Sequence, residues 1–260
     1  MTYKLDYRYV GAPAIEAVVP VPSSLAALPV PPGVIVEAED PVWGPGEFIF
    51  ARANGTIRLY GLCVLTEVWD STNKVFTYNM TECPSTVNLG RATYVAIGTG
   101  AGVASSVNAF TVGQYGWYLM TGRTPVNGSA ASGAADTQIG LGTTGQVTGT
   151  VAASKQVVNA RTVTPSTQTV LSAVTGYGAS GDFRIGLAST AGFFVGGYVS
   201  GTGVGAAAII TNVDQLNGVI TVSVANSAQV TGNVTITYNN ATIFYPVVSF
   251  QRSFAQGNIT

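Results

Sequence analysis

Residues 47–65 read EFIFARANGTIRLYGLCVL, and this stretch decides the fold class. Its largely apolar runs at residues 48–52, 57–60 and 62–65 are separated by Asn54-Gly55 and by Gly61. Asn-Gly suits the left-handed backbone of tight turns, and short apolar runs between turn residues are typical of β-strands. The stretch therefore predicts consecutive strands joined by turns.

The same pattern continues to the end of the chain. Charged residues nowhere face an apolar stripe with the period of a helix, so long amphipathic helices are not expected. We therefore predict an all-β chain. Further strands are predicted at residues 74–78, 92–97, 115–120, 138–141, 146–151, 156–163, 182–187, 206–213, 219–224, 233–238 and 242–250.

The composition is unusual in its lack of charge. Charged residues make up 9% of the chain, against about a quarter in typical domains, and the formal net charge is −1. No apolar run approaches the roughly 20 residues of a membrane helix, and no Lys/Arg cluster offers a footprint for nucleic acid. A thermostable β scaffold would explain this composition, as would a surface covered by partner proteins.

The first 45 residues form a proline-rich segment with apolar side chains between the prolines. Proline favours extended geometry and removes a backbone donor, so we expect neither a helix nor a central strand here. The segment could fold back on its own domain, but we favour an extended arm lying on another subunit, because a solvated linker would be more polar. The side chains predicted to contact partner subunits are Ile15, Val18, Val19, Val21, Leu25, Leu28 and Val30 in the arm, with Tyr115 and Trp117 in a later strand.

The chain has no histidine, which excludes Ser-His-Asp and Cys-His catalytic systems and histidine-based zinc sites. Cys63 and Cys83 are the only cysteines, and two buried or idle thiols are favoured over a disulfide. The aromatic group of Tyr115, Trp117 and Tyr118 could stack on a sugar, but alternating aromatics in a strand more often belong to a core or a subunit interface.

Two further patterns resemble binding sites. Residues 140–145, GLGTTG, fit G-x-G-x-x-G, yet the next residues predict a strand where the dinucleotide fingerprint needs a helix. Glu37, Glu39 and Asp40 form an acidic cluster near Glu47, for which a solvated turn is favoured over a calcium site. No carboxylate pair stands out for glycoside cleavage. We therefore expect no enzyme activity, no cofactor and no metal.

One resemblance covers residues 46–64 together with residues 113–122, GQYGWYLMTG. A strand of the form G-x-F-x-(apolar), a Gly-led strand and a strand beginning Q-Y-G-(aromatic) look like the small β domain of tailed-phage capsid decoration (cement) proteins. The pattern spans about residues 46–163 and the end of the chain.

A second resemblance covers residues 194–204, FVGGYVSGTGV, and the strands that follow them to residue 237. It is similar to a small β module that recurs in phage virion proteins and some bacterial surface proteins. Gly201-Thr202-Gly203 predicts a tight turn, and residues 215–218 predict a hairpin loop between two alternating strands. An alanine stands where the module's pattern has glycine before Ala208.

Together, the resemblances imply a compact sandwich- or barrel-like decoration domain with an inserted module. We expect an extended arm at 1–45, the decoration domain at 46–165 plus 240–260, and a solvent-facing module at 166–239. The implied partners are the major capsid protein and the chain itself, as a homotrimer. The implied location is the exterior of the capsid. Synthesis in the host cytoplasm is expected, since residues 1–6 show no signal-peptide pattern.

Two alternatives stay open. One is a fibre or adhesin that binds host glycans, which the inserted module and the exposed aromatics would suit. The other is a glycan-cleaving enzyme of a tail spike. Under the decoration hypothesis, deletion of residues 1–45 is expected to leave a folded chain that no longer binds capsids.

Overall fold

The computed structural model describes residues 4–5, 12–40, 43–71, 74–98, 108–128, 136–163, 174–237 and 247–257. Within these ranges the regular structure is β-strand, apart from one turn of 3-10 helix at Leu25–Ala27. The prediction of an all-β chain is thus confirmed. Residues 174–237 lie in one compact unit, and the other described residues lie in a second, larger unit.

The described ranges contain nineteen strands. Strands β13 to β18 belong to the smaller unit and the others to the larger one. In chain order they are β1 (Lys4–Leu5), β2 (Ile35–Asp40), β3 (Gly44–Ala53), β4 (Ile57–Arg58), β5 (Leu62–Asp70), β6 (Val75–Glu82), β7 (Thr93–Ala96), β8 (Asn108–Phe110), β9 (Tyr115–Pro125), β10 (Gln138–Leu141), β11 (Val147–Thr148), β12 (Gln156–Thr162), β13 (Val174–Tyr177), β14 (Arg184–Leu187), β15 (Tyr198–Gly201), β16 (Ile210–Asp214), β17 (Val219–Val222), β18 (Asn233–Thr237) and β19 (Val247–Ala255).

The larger unit contains an 11-stranded sheet in the order β1-β2-β3-β6-β5-β7-β9-β19-β12-β10-β11. Strand β3 also pairs with β9, so β3, β6, β5, β7 and β9 form a closed ring. Closure removes the free edges of these strands where they pair. Strand β9 then leaves the ring, and its residues 121–125 pair with β19.

The core of the larger unit is centred on the pairing of β3 with β9. Phe50 lies opposite Trp117 across the two strands, with ring centroids 5.1 Å apart in an edge-to-face arrangement. Phe110 stacks on Tyr118 at 5.0 Å. All four rings are fully or almost fully buried, so these aromatic side chains supply a large share of the apolar area removed from water.

Strand β2 lies inside the segment for which no central strand was expected, and that expectation is wrong for residues 35–40. The strand pairs with β1 on one side and β3 on the other. Its side chains alternate, with Val36, Ala38 and Asp40 buried and the intervening ones exposed. No proline lies within residues 35–40, so every residue of this strand keeps its backbone N–H for pairing.

The turn at Asn54-Gly55 joins β3 to β4, but the two strands are not hairpin partners. Strand β4 pairs with β8, and the Asn54 backbone N–H donates to the Met80 carbonyl at 2.8 Å. After β3 the chain therefore enters a different sheet. The sequence pattern at this position, an Asn-Gly turn between two apolar runs, is equally compatible with a hairpin.

The smaller unit is a six-stranded antiparallel arrangement in the order β15-β18-β13-β14-β17-β16. The predicted hairpin is confirmed: β16 pairs with β17, and the Asp214 carboxylate accepts the Asn217 backbone N–H at 3.0 Å. The predicted tight turn is confirmed as well, because the Val204 N–H donates to the Gly201 carbonyl at 3.1 Å and Gly203 has φ +85°.

We expect Gly203→Ala to destabilise the smaller unit more than Gly232→Ala. Both glycines have positive φ, +85° and +79°, so alanine costs about 1–2 kcal/mol at either position. A Cβ at Gly203 would also lie 2.4 Å from the Gln229 carbonyl oxygen, whereas one at Gly232 would meet nothing within 4 Å. Scanning calorimetry should give a larger fall in Tm for Gly203→Ala, and equal falls would contradict the backbone clash.

Candidate protein-binding surface

The structure buries four of the residues predicted to contact partner subunits. Ile15, Val30, Tyr115 and Trp117 are at most 4% exposed within this chain. In this conformation these side chains cannot contact a partner, which corrects the prediction for them. Val18, Val19, Leu25 and Leu28 are partly covered, and Val21 is 63% exposed.

Burial of the proline-rich segment follows from its contacts with β3 and β9. The Val19 and Tyr115 backbones exchange hydrogen bonds of 2.8 and 2.9 Å, and the Trp117 indole N–H donates to the Pro13 carbonyl at 3.2 Å. The Phe50 N–H donates to the Val34 carbonyl at 2.9 Å. Residues 12–34 therefore lie on their own unit, the alternative that the sequence left open.

A different surface exposes apolar side chains together, at the distal part of the β5–β6 hairpin. Residues 66–70 and 75–78, here called the aromatic ribbon, carry Trp69 at 50% and Phe76 at 56% exposure. The two rings lie directly opposite each other across the strands, with centroids 5.1 Å apart in an edge-to-face contact. Such cross-strand aromatic pairs stabilise a hairpin by up to about 1 kcal/mol, so the pair also holds the ribbon in shape.

The ribbon exposes apolar side chains on both of its faces. Residues paired directly across two strands share a face, so Trp69 and Phe76 point to one side. Val68 and Val75 alternate to the other side, where they are 45% and 38% exposed. Each face also carries polar side chains, for example Thr77 beside Val68, so the exposed apolar groups form only part of either surface.

The outer edges of the ribbon also lack neighbouring strands in the described part of the chain. Strand β7 pairs with β5 only at Leu62–Val64, and β3 pairs with β6 only at Asn79 and Met80. The ribbon therefore extends beyond its sheet as two strands alone. Two-stranded ribbons are marginally stable in water, and exposed apolar edges invite association.

Sequence reasoning predicted strand at residues 62–65 and 74–78, but it predicted neither the extension of β5 through residues 66–70 nor the exposure of the ribbon. The apolar pairs Val68-Trp69 and Val75-Phe76 flank a polar turn, a pattern equally typical of a buried hairpin. The ribbon residues are exposed because β3 and β7 end before they reach them. The sequence of the hairpin itself contains no information on where those two strands end. The one available signal was two adjacent apolar residues in each strand, because adjacent residues point to opposite faces.

Both cysteines are buried free thiols. Burial raises the pKa of the Cys83 thiol to about 12, and burial, followed by the nearby Glu82 charge, raises the pKa of Cys63. The thiolate is the reactive form, so neither thiol is chemically activated.

We expect the folded chain to resist thiol reagents. At pH 8 a pKa of about 12 leaves on the order of one thiolate in ten thousand at Cys83. Reaction with Ellman's reagent should therefore be very slow in buffer and should release two equivalents in guanidinium chloride. Rapid labelling of either cysteine in the native chain would contradict the burial of the thiols.

The acidic residues do not assemble a cation site in the described part of the chain, where no group of three or more candidate ligands occurs. Glu37 and Glu39 point outward from β2, and the buried Asp40 accepts the Trp43 backbone N–H at 2.9 Å. Glu47 is held by Arg252 and Thr121, whose hydrogen bonds lower its pKa, the Arg252 bond most. The favoured interpretation of an acidic turn is wrong, because these residues belong to strands.

The G-x-G-x-x-G match forms a hairpin, since β10 pairs with β11 and the Gly142 N–H donates to the Gln146 carbonyl at 2.9 Å. A dinucleotide would need a helix N-terminus at this position. Among the described residues there is also no helix long and apolar enough to span a membrane.

The described residues therefore offer an exposed apolar ribbon as the most distinctive surface of the larger unit. Comparison of the chain with protein-family models, with curated proteins and with solved structures gave no match.

Proposed function

We propose that this chain is a non-enzymatic structural protein that binds other protein subunits through the aromatic ribbon. The observation that carries this proposal is the exposure of apolar side chains on both ribbon faces, Trp69 and Phe76 on one and Val68 and Val75 on the other. A flat docking surface would cover only one face. A ribbon of this kind is buried fully only when it inserts between two surfaces.

We further propose that those surfaces belong to the major capsid protein of a tailed phage, with the chain on the outside of the shell. A cleft between two neighbouring shell subunits would provide the two walls that the two-faced ribbon requires. The resemblance of residues 46–64 and 113–122 to decoration proteins supports this partner, as does the low charge of the chain. The finer architecture of a decoration domain with a solvent-facing inserted module belongs to the same proposal.

In this proposal the chain stabilises the shell by holding neighbouring capsid subunits together. The exposed halves of two aromatic side chains offer roughly 200 Å² of apolar area, since such side chains bury about 150–250 Å² each. A standard interface buries about 800 Å² per partner, so the ribbon acts as an anchor within a larger contact. Copies of the chain, proposed to assemble as a homotrimer, would add such anchors around one joint.

The test is the mass of the purified chain in solution together with its co-sedimentation with empty, expanded capsids of its source phage. We expect a trimer that pellets with shells in a saturable manner and with little dependence on salt, because apolar contacts are weakly screened. An oligomer that does not co-sediment with capsids would overturn the capsid proposal. Loss of capsid binding in moderate salt would overturn the proposal that the ribbon is the anchor.

A further inference from the structure

A second surface of the larger unit lies on the sheet formed by β10, β12 and β19. It is an open groove of about 470 Å³, within the size range of small-molecule sites. The polar and charged residues that line it are Asp136, Gln138, Gln156, Asn159, Arg161, Thr162, Ser249 and Gln251.

The amide side chains of this groove keep their hydrogen-bonding capacity free. Gln138, Gln156, Asn159 and Gln251 have no side-chain hydrogen bond to another described residue. Each amide offers two donor hydrogens and an acceptor oxygen. A ligand that both donates and accepts hydrogen bonds at several points, as a row of hydroxyl groups does, would match this set.

The backbone that forms the groove contains non-glycine residues in the left-handed region. Asn159 has φ +58°, Asp136 has φ +55°, and Arg252, next to Gln251, has φ +46°. Between the pairs Val158–Phe254 and Ala160–Phe250, the single residue Asn159 faces three residues of β19, which is a bulge. Bulges bend a sheet and redirect side chains, and such strained positions cluster at binding sites.

The charged and apolar residues around the groove restrict the kind of ligand that it can bind. Arg161 and Asp136 form an exposed ion pair of 2.8 Å at the groove, and because they are its only charged lining residues in the described part of the chain, the lining carries no net charge. Val158 lines the groove, and its cross-strand neighbour Phe254 is 40% exposed. An exposed aromatic ring beside amides provides an apolar platform next to hydrogen-bonding groups.

We infer that this groove binds a neutral carbohydrate, with the amides of Gln156, Asn159 and Gln251 hydrogen-bonding its hydroxyl groups and Phe254 packing against the apolar face of a sugar ring. The site is separate from the aromatic ribbon and does not depend on the proposed capsid partner. It gives the larger unit a second binding activity, toward glycans.

The experiment uses the full-length chain and an array of neutral oligosaccharides built from glucose, galactose, mannose and N-acetylglucosamine. Hits are then titrated at millimolar concentration by NMR. Asn159→Gly is the sharpest variant, because glycine accepts φ +58° without strain while the amide is deleted. We expect Asn159→Gly and Gln156→Ala each to weaken binding about tenfold, the equivalent of one good hydrogen bond, with an unchanged Tm.

Controls separate the groove from the other exposed groups. Gln229→Ala removes an exposed amide in the smaller unit, and Trp69→Ala alters the ribbon; both should leave sugar affinity within twofold. Tyr177, at 69% exposure, is the competing aromatic platform. The inference is overturned if no neutral sugar binds, if both groove variants bind normally, or if Tyr177→Ala abolishes binding while the groove variants do not.

Discussion

Replacement of both Trp69 and Phe76 by alanine is expected to weaken binding of the chain to expanded capsids by at least about 100-fold. The two rings are half-exposed, lie 5.1 Å apart at the end of an unsupported ribbon, and form its largest apolar surface. Central aromatic anchors of protein interfaces commonly contribute about 2 kcal/mol or more each, which is about 30-fold in affinity. Quantitative co-sedimentation over a range of chain concentrations measures this loss.

The matched control is Val112→Ala, which removes an apolar side chain that is 60% exposed and lies outside the ribbon. It should change capsid affinity by less than about twofold, as expected for a surface residue outside the contact. Thermal unfolding followed by circular dichroism should show that the double variant keeps the wild-type fold. Full binding by a folded double variant would refute the ribbon as the anchor.

Ile15→Ala is expected to destabilise the chain by about 2–5 kcal/mol, whereas Val21→Ala should change stability by less than about 0.5 kcal/mol. The two residues lie six positions apart in the same proline-rich segment, but Ile15 is fully buried and Val21 is 63% exposed. Alanine at position 15 therefore leaves a cavity, while alanine at position 21 removes atoms already in contact with water. Urea unfolding followed by tryptophan fluorescence gives both values.

The same packing changes the expected result of truncation. Deletion of residues 1–45 would remove β2 from the sheet, the buried side chains of Ile15 and Val30, and the backbone pairing of Val19 with Tyr115. The apolar loss alone approaches the 5–15 kcal/mol that stabilises a typical domain. We now expect the truncated chain to unfold, in contrast to the expectation from sequence. A stable truncated chain with a wild-type melting profile would show that the segment is dispensable.

Strand positions could be predicted from the sequence because side-chain alternation and turn residues act locally. The predicted strand at residues 138–141 coincides with β10, and the hairpin of β16 and β17 formed where alternation and a polar loop coincided. Pairing could not be predicted in this way. The partner of β4 is β8, about 50 positions along the chain, and the ring closes through a contact of β3 with β9.

The aromatic ribbon and the groove were the features of the structure that the sequence predicted least well. Trp117 and Trp69 both stand in apolar strand patterns, yet one is fully buried and the other half-exposed. The groove depends on a bulge at Asn159, where one residue faces three, and no turn signal marks that position in the sequence. Both features arise where distant strands meet or end.

The sequence by itself determined that the chain is all-β, that it lacks the histidine chemistry of several enzyme classes, and where its turns and most of its strands lie. These properties follow from composition and from interactions between residues close along the chain. Only the tertiary structure decided that the proline-rich segment packs on its own unit, that Trp69 and Phe76 remain exposed, and that four amides converge on one groove. Burial is a property of all neighbours in space, and in a β protein most of those neighbours are distant in sequence.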